Sequence, residues 1–368
     1  MVSEEENPVA YEHTQISPPL RGAIVGFGGV AAKAHLPVWA QDPNFKINAV
    51  VEPASDQVRS AREMIPEAVV YPDMESLIAS DDVDFVDICT PPCFHENQML
   101  TACKAGLHAF CEKPLPTSTD GLSRLLKAAD AADRVLFVVN NWKYAPLWEK
   151  TLEIVKSKKI GAVKSISLSV QRTPGSGGGI SDWRKNSRIA GGGILLDHGW
   201  HNLYLIMAVM GAYPSSVGAR MEFGGTDETG SEERVDLVLK FPESEAYLYL
   251  TRQSDLRRND GVIIGDRGVI HINDDHLLLE TTAGCPPTRY DFYEPLSAGS
   301  HHPSWMKSVV KDFYNEIIEP GIRGLNFTEA RWCAHLTDLA YQSHRMAGRF
   351  FTTRNPLQNG PDARACSI

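Results

Sequence analysis

No run of about eighteen consecutive apolar residues occurs anywhere in the chain, so no segment reads as a membrane-spanning helix. Basic residues are the minority: 36 Lys and Arg stand against 46 Asp and Glu, a formal charge of −10. That balance argues against nucleic acid or an anionic lipid surface as the main partner. The seven cysteines are an odd number with no C-x-x-C pair, which reads as reduced thiols in a cytoplasmic protein. The acidic start, Met1–Asn7, lacks the basic-then-apolar plan of a secretory signal and points to the same location. There is no internal repeat and no low-complexity linker. What is present is globular: 43% hydrophobic and 22% charged residues exclude a mostly disordered chain, and 368 residues leave room for two domains.

Residues 1–19 and 351–368 are polar and read as tails. Between them the pattern changes once. From about residue 20 to 144, short apolar runs (Gly22–Val25, Ile47–Val51, Phe85–Cys89, His108–Cys111, Val135–Val139) alternate with helical stretches such as Glu96–Ala105 and Thr119–Ala132. Buried strands alternating with helices mean βαβ units and a parallel sheet covered on both faces. From 145 to 350, after a helix at about Leu147–Lys158, runs of period-two character follow one another between Val163 and Asn273. They predict an α/β domain with a mostly antiparallel open sheet, followed by helices at about Pro303–Glu319 and Thr328–Gly348.

Gly26-Phe27-Gly28-Gly29-Val30-Ala31 fits G-x-G-x-x-A between an apolar strand and a helix. In that context it is a dinucleotide fingerprint. Gly26 permits a tight turn, Gly28 lets backbone approach a pyrophosphate, and Ala31 packs the helix close to the strand. The helix N-terminus then faces the phosphates. Glu52 ends the second strand, 26 residues after Gly26, where an acid binds ribose hydroxyls and repels a 2′-phosphate. This favours NAD over NADP.

Two later segments carry chemistry. Cys111-Glu112-Lys113-Pro114 follows the fourth long apolar run, at the strand end where open α/β sheets bind ligands. Gly191-Gly192-Gly193-Ile-Leu-Leu-Asp197-His198-Gly199-Trp200-His201 lies in the second half. With Thr90-Pro91-Pro92 and His95, these motifs resemble the glucose–fructose oxidoreductase, inositol dehydrogenase and rhizopine-catabolism (Gfo/Idh/MocA) family over about residues 20–350. The resemblance implies a Rossmann domain, then an α/β domain whose open sheet forms a homodimer or homotetramer interface. It also implies NAD-dependent hydride transfer at a hydroxyl or keto carbon of a sugar, cyclitol or related polyol. It maps a catalytic lysine to Lys113, a substrate carboxylate to Asp197 and a catalytic histidine to His201. Cofactor contacts would fall on Gly26, Phe27, Gly28, Val30, Ala31, Glu52, Thr90, Pro91, His95, Glu112 and Lys113. Substrate contacts would fall on Lys113, Lys143, Trp183, Arg184, Asp197 and His201.

The residue chemistry stands beside the resemblance. Oxidising a C–OH needs a base for the hydroxyl proton, and imidazole serves near neutral pH. Lys113 next to an oxidised nicotinamide would meet a like charge, which eases loss of its proton. His198 and His201 lack a matching Cys or carboxylate pair, so no metal site is expected. Gly175–Gly179 reads as a flexible lid. Two other classes use the same residue types: a glycoside hydrolase that retains NAD through transient oxidation and elimination, with Tyr144 a further base, and a regulator that binds nucleotide without turnover. Two departures from the family stand out. Lys143 occupies the place of an arginine, and Tyr204 the place of an aspartate three residues after the motif histidine.

Overall fold

The apolar runs pair into two sheets. The first is six-stranded and wholly parallel: β1 (Leu20–Val25), β2 (Phe45–Val51), β3 (Val69–Tyr71), β4 (Phe85–Ile88), β5 (His108–Cys111) and β6 (Leu136–Val138), in the order β3-β2-β1-β4-β5-β6. This is the doubly wound Rossmann order, and its crevice opens at the strand carboxyl ends. β4, β5 and β6 are buried along their whole length, as strands covered on both faces must be. The computed structural model describes residues 18–115, 118–174, 183, 186–224, 230–282, 286–299 and 301–353. The expected lid at Gly175–Gly179, Arg184 and most of both expected tails lie outside them. Among the described residues no helix is long and apolar enough to cross a membrane.

The second sheet is nine-stranded: β7 (Val163–Gln171), β8 (Ser216–Phe223), β9 (Glu232–Lys240), β10 (Glu245–Thr251), β11 (Arg258–Gly265), β12 (Gly268–Asn273), β13 (His276–Thr281), β14 (Thr288–Asp291) and β15 (Phe351–Thr352), ordered β14-β13-β12-β11-β7-β10-β9-β8-β15. Every neighbour pair is antiparallel except β7 with β10, which run parallel. One face alternates inward as Ile166, Leu168, Val170, Leu248, Leu250 and Ile263, and packs on the helices Trp200–Met210 and Leu325–Arg345. β13 and β14 lie beyond the predicted runs. β14 is short and polar, the mark of an edge strand. Phe351 and Thr352 form no tail but pair with β8, and Phe351 packs against the core.

The helix Pro303–Ile318 crosses the sequence boundary. Met306, Val309, Val310, Phe313 and Ile317 bury against the Rossmann sheet, where Phe313 contacts the rings of Trp39, Phe45, Phe85, Phe110 and Phe137. Asn326, at the start of the next helix, is buried and bonds both the N–H and the carbonyl of Val138 on β6, which ties that helix to the Rossmann sheet.

Candidate active site

The glycine-rich turn closes at the carboxyl end of β1. Gly26 has φ +86°, and a Cβ there would lie 2.8 Å from Thr90 Cγ2, so only glycine fits. Gly28 and Gly29 instead have open space where a Cβ would stand. That leaves exposed backbone at a helix start, which suits a dinucleotide pyrophosphate. Ala31 is fully buried, as close helix packing requires. Phe27 differs from expectation. Its ring lies in the core and its N–H donates to Glu52 Oε2 at 2.8 Å, so neither part faces the cleft. Glu52 Oε1 accepts from Ala54 N–H at 2.9 Å, so the carboxylate braces the turn from beneath.

Beneath the lysine motif is a buried relay that the sequence did not reveal. His35 Nδ1 meets Asp87 at 2.9 Å and its Nε2 meets Glu112 at 3.0 Å. Trp39 Nε1 donates to Asp87 at 2.7 Å. Burial opposes a charge on His35, but Asp87 and Cys89 together outweigh it and raise the imidazole well above its ordinary range. Glu112 Oε2 accepts the backbone N–H of Lys113 at 3.1 Å, so the relay ends on the lysine's own peptide. Among the described residues, His35, Asp87 and Cys89 are the one grouping of metal-ligand types, but here they form this hydrogen-bonded ion pair. His95, expected at the cofactor, has both ring nitrogens on backbone carbonyls: Pro114 at 2.9 Å and Thr90 at 2.8 Å. It ties the two loops together from inside. Pro91 is likewise not on the cleft wall, whereas Thr90, Pro92 and Val30 are.

A cleft of about 410 Å³ lies between the two sheets' domains. Across it Lys113 Nζ donates to the backbone oxygen of Asp197 at 2.8 Å and to its Oδ1 at 3.1 Å. Arg252 donates to Asp197 Oδ2 at 2.9 Å. Burial alone would raise the Asp197 carboxyl, but Lys113, His198 and Arg252 hold it well below the usual range. The loop carrying Asp197 is itself held by Glu232, which accepts the N–H groups of Gly193 and Leu195 at 2.8 and 2.9 Å. A Cβ on Gly193 would strike the Glu232 backbone at 2.2 Å, which explains that glycine.

His201 is 5% exposed and stacks on Trp142 at 5.0 Å. Burial, then Lys113 and His198, lower its pKa well below the ordinary value, so the ring is neutral near pH 7. Trp142 N–H donates to the Tyr204 hydroxyl oxygen at 2.9 Å, and that hydroxyl meets His201 Nδ1 at 2.9 Å. The phenol proton has Nδ1 as its acceptor, so the network assigns the ring's own proton to Nε2.

Two expected residues are drawn away. Lys143 pairs with Glu329 at 3.1 Å, beside Asn140 on the same carboxylate, and does not line the cleft. The Tyr144 hydroxyl donates to Asp312, and burial with that carboxylate pushes its pKa far up. Trp183 is on the cleft wall. Three arginines there had no sequence signal. Gln171 and Thr251 sit opposite one another at the ends of parallel β7 and β10, so Arg172 and Arg252 emerge side by side. Arg258 opens antiparallel β11 opposite Gln171, which brings Arg257 to the same edge.

Residues 20–140 match the model of the oxidoreductase family with an NAD-binding Rossmann fold, and residues 148–271 match that of the GFO/IDH/MocA C-terminal domain. The chain is 29% identical over 197 residues to a D-glucoside 3-dehydrogenase of Escherichia coli (strain K12), covering 53% of this chain and 55% of that protein. It is 30% identical over 202 residues to dTDP-3,4-didehydro-2,6-dideoxy-alpha-D-glucose 3-reductase of Streptomyces violaceoruber, covering 54% and 57%. The matched stretch thus spans little more than half of these relatives. A solved levoglucosan dehydrogenase in complex with NADH shares the fold with a TM-score of 0.80 at 20% identity, over 91% of this chain and 99% of that one.

Proposed function

We propose, for a chain that belongs to the Gfo/Idh/MocA family of oxidoreductases with an NAD-binding Rossmann fold, that it interconverts a hydroxyl and a keto carbon on a sugar, cyclitol or related polyol. The observation that carries the reading is the bond from Lys113 of the Rossmann domain to Asp197 of the second domain. It joins the strand end where nicotinamide chemistry belongs to a carboxylate suited to sugar hydroxyls. The relatives named for sugar oxidation and reduction support the same class. Bound NAD supplies the hydride acceptor.

The chain's own groups handle the proton and the orientation. As the C–H electron pair leaves with its hydrogen, the hydroxyl proton must go to a base, and Lys113 Nζ is that base. It accepts as the neutral amine, so the ammonium that donates to Asp197 must first release a proton. His201, neutral with its proton on Nε2, donates a hydrogen bond to the same substrate oxygen. This revises the sequence expectation of His201 as principal base, because Tyr204 already serves Nδ1 and offers no carboxylate to steady an imidazolium. Asp197 accepts from a neighbouring hydroxyl. Glu52, at the ribose end of the turn, favours NAD over NADP, and the outer face of the second sheet binds a second copy of the chain.

A screen of sugars and polyols for NADH formation tests the reaction. On any substrate found, Lys113→Ala should lower turnover by about 10²- to 10⁴-fold while NAD affinity, read by titration, changes little. A folded Lys113→Ala protein with normal turnover overturns the assignment. Glycoside cleavage without net NADH would move the protein to the hydrolase class.

A further inference from the structure

Charge on the substrate side of the cleft is lopsided. Lys113, Arg172, Arg252 and Arg257 line it, and Asp197 is the carboxylate they face. Among the described residues the other lining carboxylate, Glu112, is engaged by His35 on the Rossmann side. This concentration of cations occurs in a chain whose net charge is −10. Asp197 serves Lys113 and Arg252. Among the described residues, neither Arg172 nor Arg257 is hydrogen-bonded to a carboxylate.

Arg172 is 1% exposed, and a buried guanidinium without a counter-ion is costly. Its donors go to neutral acceptors: His198 Nε2 at 3.2 Å, the carbonyls of Gln171 and Arg258 at 2.7 and 3.2 Å, and Asn259 Oδ1 at 3.0 Å. Asp197 and, more weakly, Asp274 act on it only through space, since Asp197 is bonded to Lys113 and Arg252 and the Asp274 oxygens serve Asn259 and Ser297. Arg257 donates to the carbonyls of Ser297 at 2.8 Å and Gly299 at 2.6 Å. The backbone thus aims both guanidiniums without neutralising them. Burial, then the proximity of Arg257, lowers Arg172 to about 10, and Asp197 and Asp274 offset only part of that. An oxidised nicotinamide beside Lys113 would add another positive charge. The cofactor's diphosphate does not relieve this wall, because its place is at the Gly28 turn on the opposite domain.

We propose that the substrate carries an anionic substituent, a carboxylate or phosphate beyond the reacting carbon, and that Arg257 receives it, with the buried Arg172 adding positive charge behind it. A guanidinium fork meets such a group with two parallel bonds. The inference rests on the dehydrogenase reading and narrows it from sugars in general to acidic ones.

Calorimetric titration of the NAD-saturated full chain tests it, using D-glucose against D-glucuronate, D-galactose against D-galacturonate, and D-glucose 6-phosphate. At least one acid should bind about tenfold or more tightly than its neutral partner, the gain expected from one charge-assisted pair. The uronates report a carboxylate and the sugar phosphate a phosphate. In Arg257→Gln the preference should fall toward unity, and Arg257→Lys should restore part of it. Added salt should weaken the acid far more than the neutral sugar. Equal binding within every pair, no binding by any acid, or an undiminished preference in folded Arg257→Gln overturns the inference. NADH formation is read in the same samples. Turnover without preference for the acid overturns the charge inference alone, and tight acid binding with no NADH from any sugar overturns the dehydrogenase reading alone.

Discussion

Glu52 illustrates how one side chain holds structure and selectivity together. Its two oxygens take the N–H groups of Phe27 and Ala54, which fixes a full negative charge beneath the nucleotide turn. A 2′-phosphate brought to the adjoining ribose would meet that charge, so NAD should bind at least about tenfold more tightly than NADP in paired titrations. Glu52→Ser should narrow the gap and also lower stability by about 1–3 kcal/mol, because two backbone donors lose their acceptor. Equal affinities in the parent protein would contradict the role. At this scale the sequence was informative where a motif existed. Lys113, Asp197 and His201 were legible from their motifs, and the fold places all three on one cleft. The side chains of His95, Lys143 and Phe27 turn away from the cleft, and a residue type says nothing about which way a side chain turns. Each was captured by a nearer partner: two carbonyls, Glu329 and the core.

The junction of the last two helices turns on Glu316. It lies near the end of Pro303–Ile318, is 4% exposed, and accepts the N–H groups of Gly324 and Asn326 at 2.8 Å each, capping the next helix. Burial raises its pKa from 4.5 to about 7. The folded state therefore binds its proton more tightly than the unfolded chain does. Its contribution to stability is full below about pH 4.5 and is lost as pH rises to about 7, a difference of about 3 kcal/mol. Denaturant midpoints at pH 5 and pH 8 should show that loss in the parent protein and little of it in Glu316→Gln. An identical pH dependence in both proteins would sink the assignment. Element by element, the apolar runs of the Rossmann sheet were legible because strands buried on both faces carry continuous apolar sequence. β13 and β14 were not. The Leu277–Leu279 run shows no clean alternation, and β14 is exposed and polar.

Across the whole molecule the outer face of the nine-stranded sheet remains open. Val238, Tyr247, Ser167 and Val262 lie in one cross-strand row there, Tyr247 is 41% exposed and nearby Ile264 44%. A sheet face with that apolar content suits a second copy of the chain. Light scattering at micromolar concentration should give a dimer or tetramer, and Tyr247→Arg should shift it toward the monomer with the fold intact. A monomeric parent protein would remove the proposal.

Local pattern by itself determined the alternation of strand and helix, the glycine turn with its acid, and the two motifs bearing Lys113 and Asp197. These depend on neighbours within a few residues, and sequence records such neighbours directly. Only the tertiary structure decided which distant elements meet. Helix Pro303–Ile318 went to the Rossmann core because the aromatic cluster around Phe85 and Phe110 accepts Phe313. Arg172, Arg252 and Arg257 converged because β7 and β10 run parallel while β11 returns antiparallel. No local signal marks an arginine one residue past a strand end. Its charge acquires meaning only when sheet order places two more beside it, with Asp197 bonded to just one of the three.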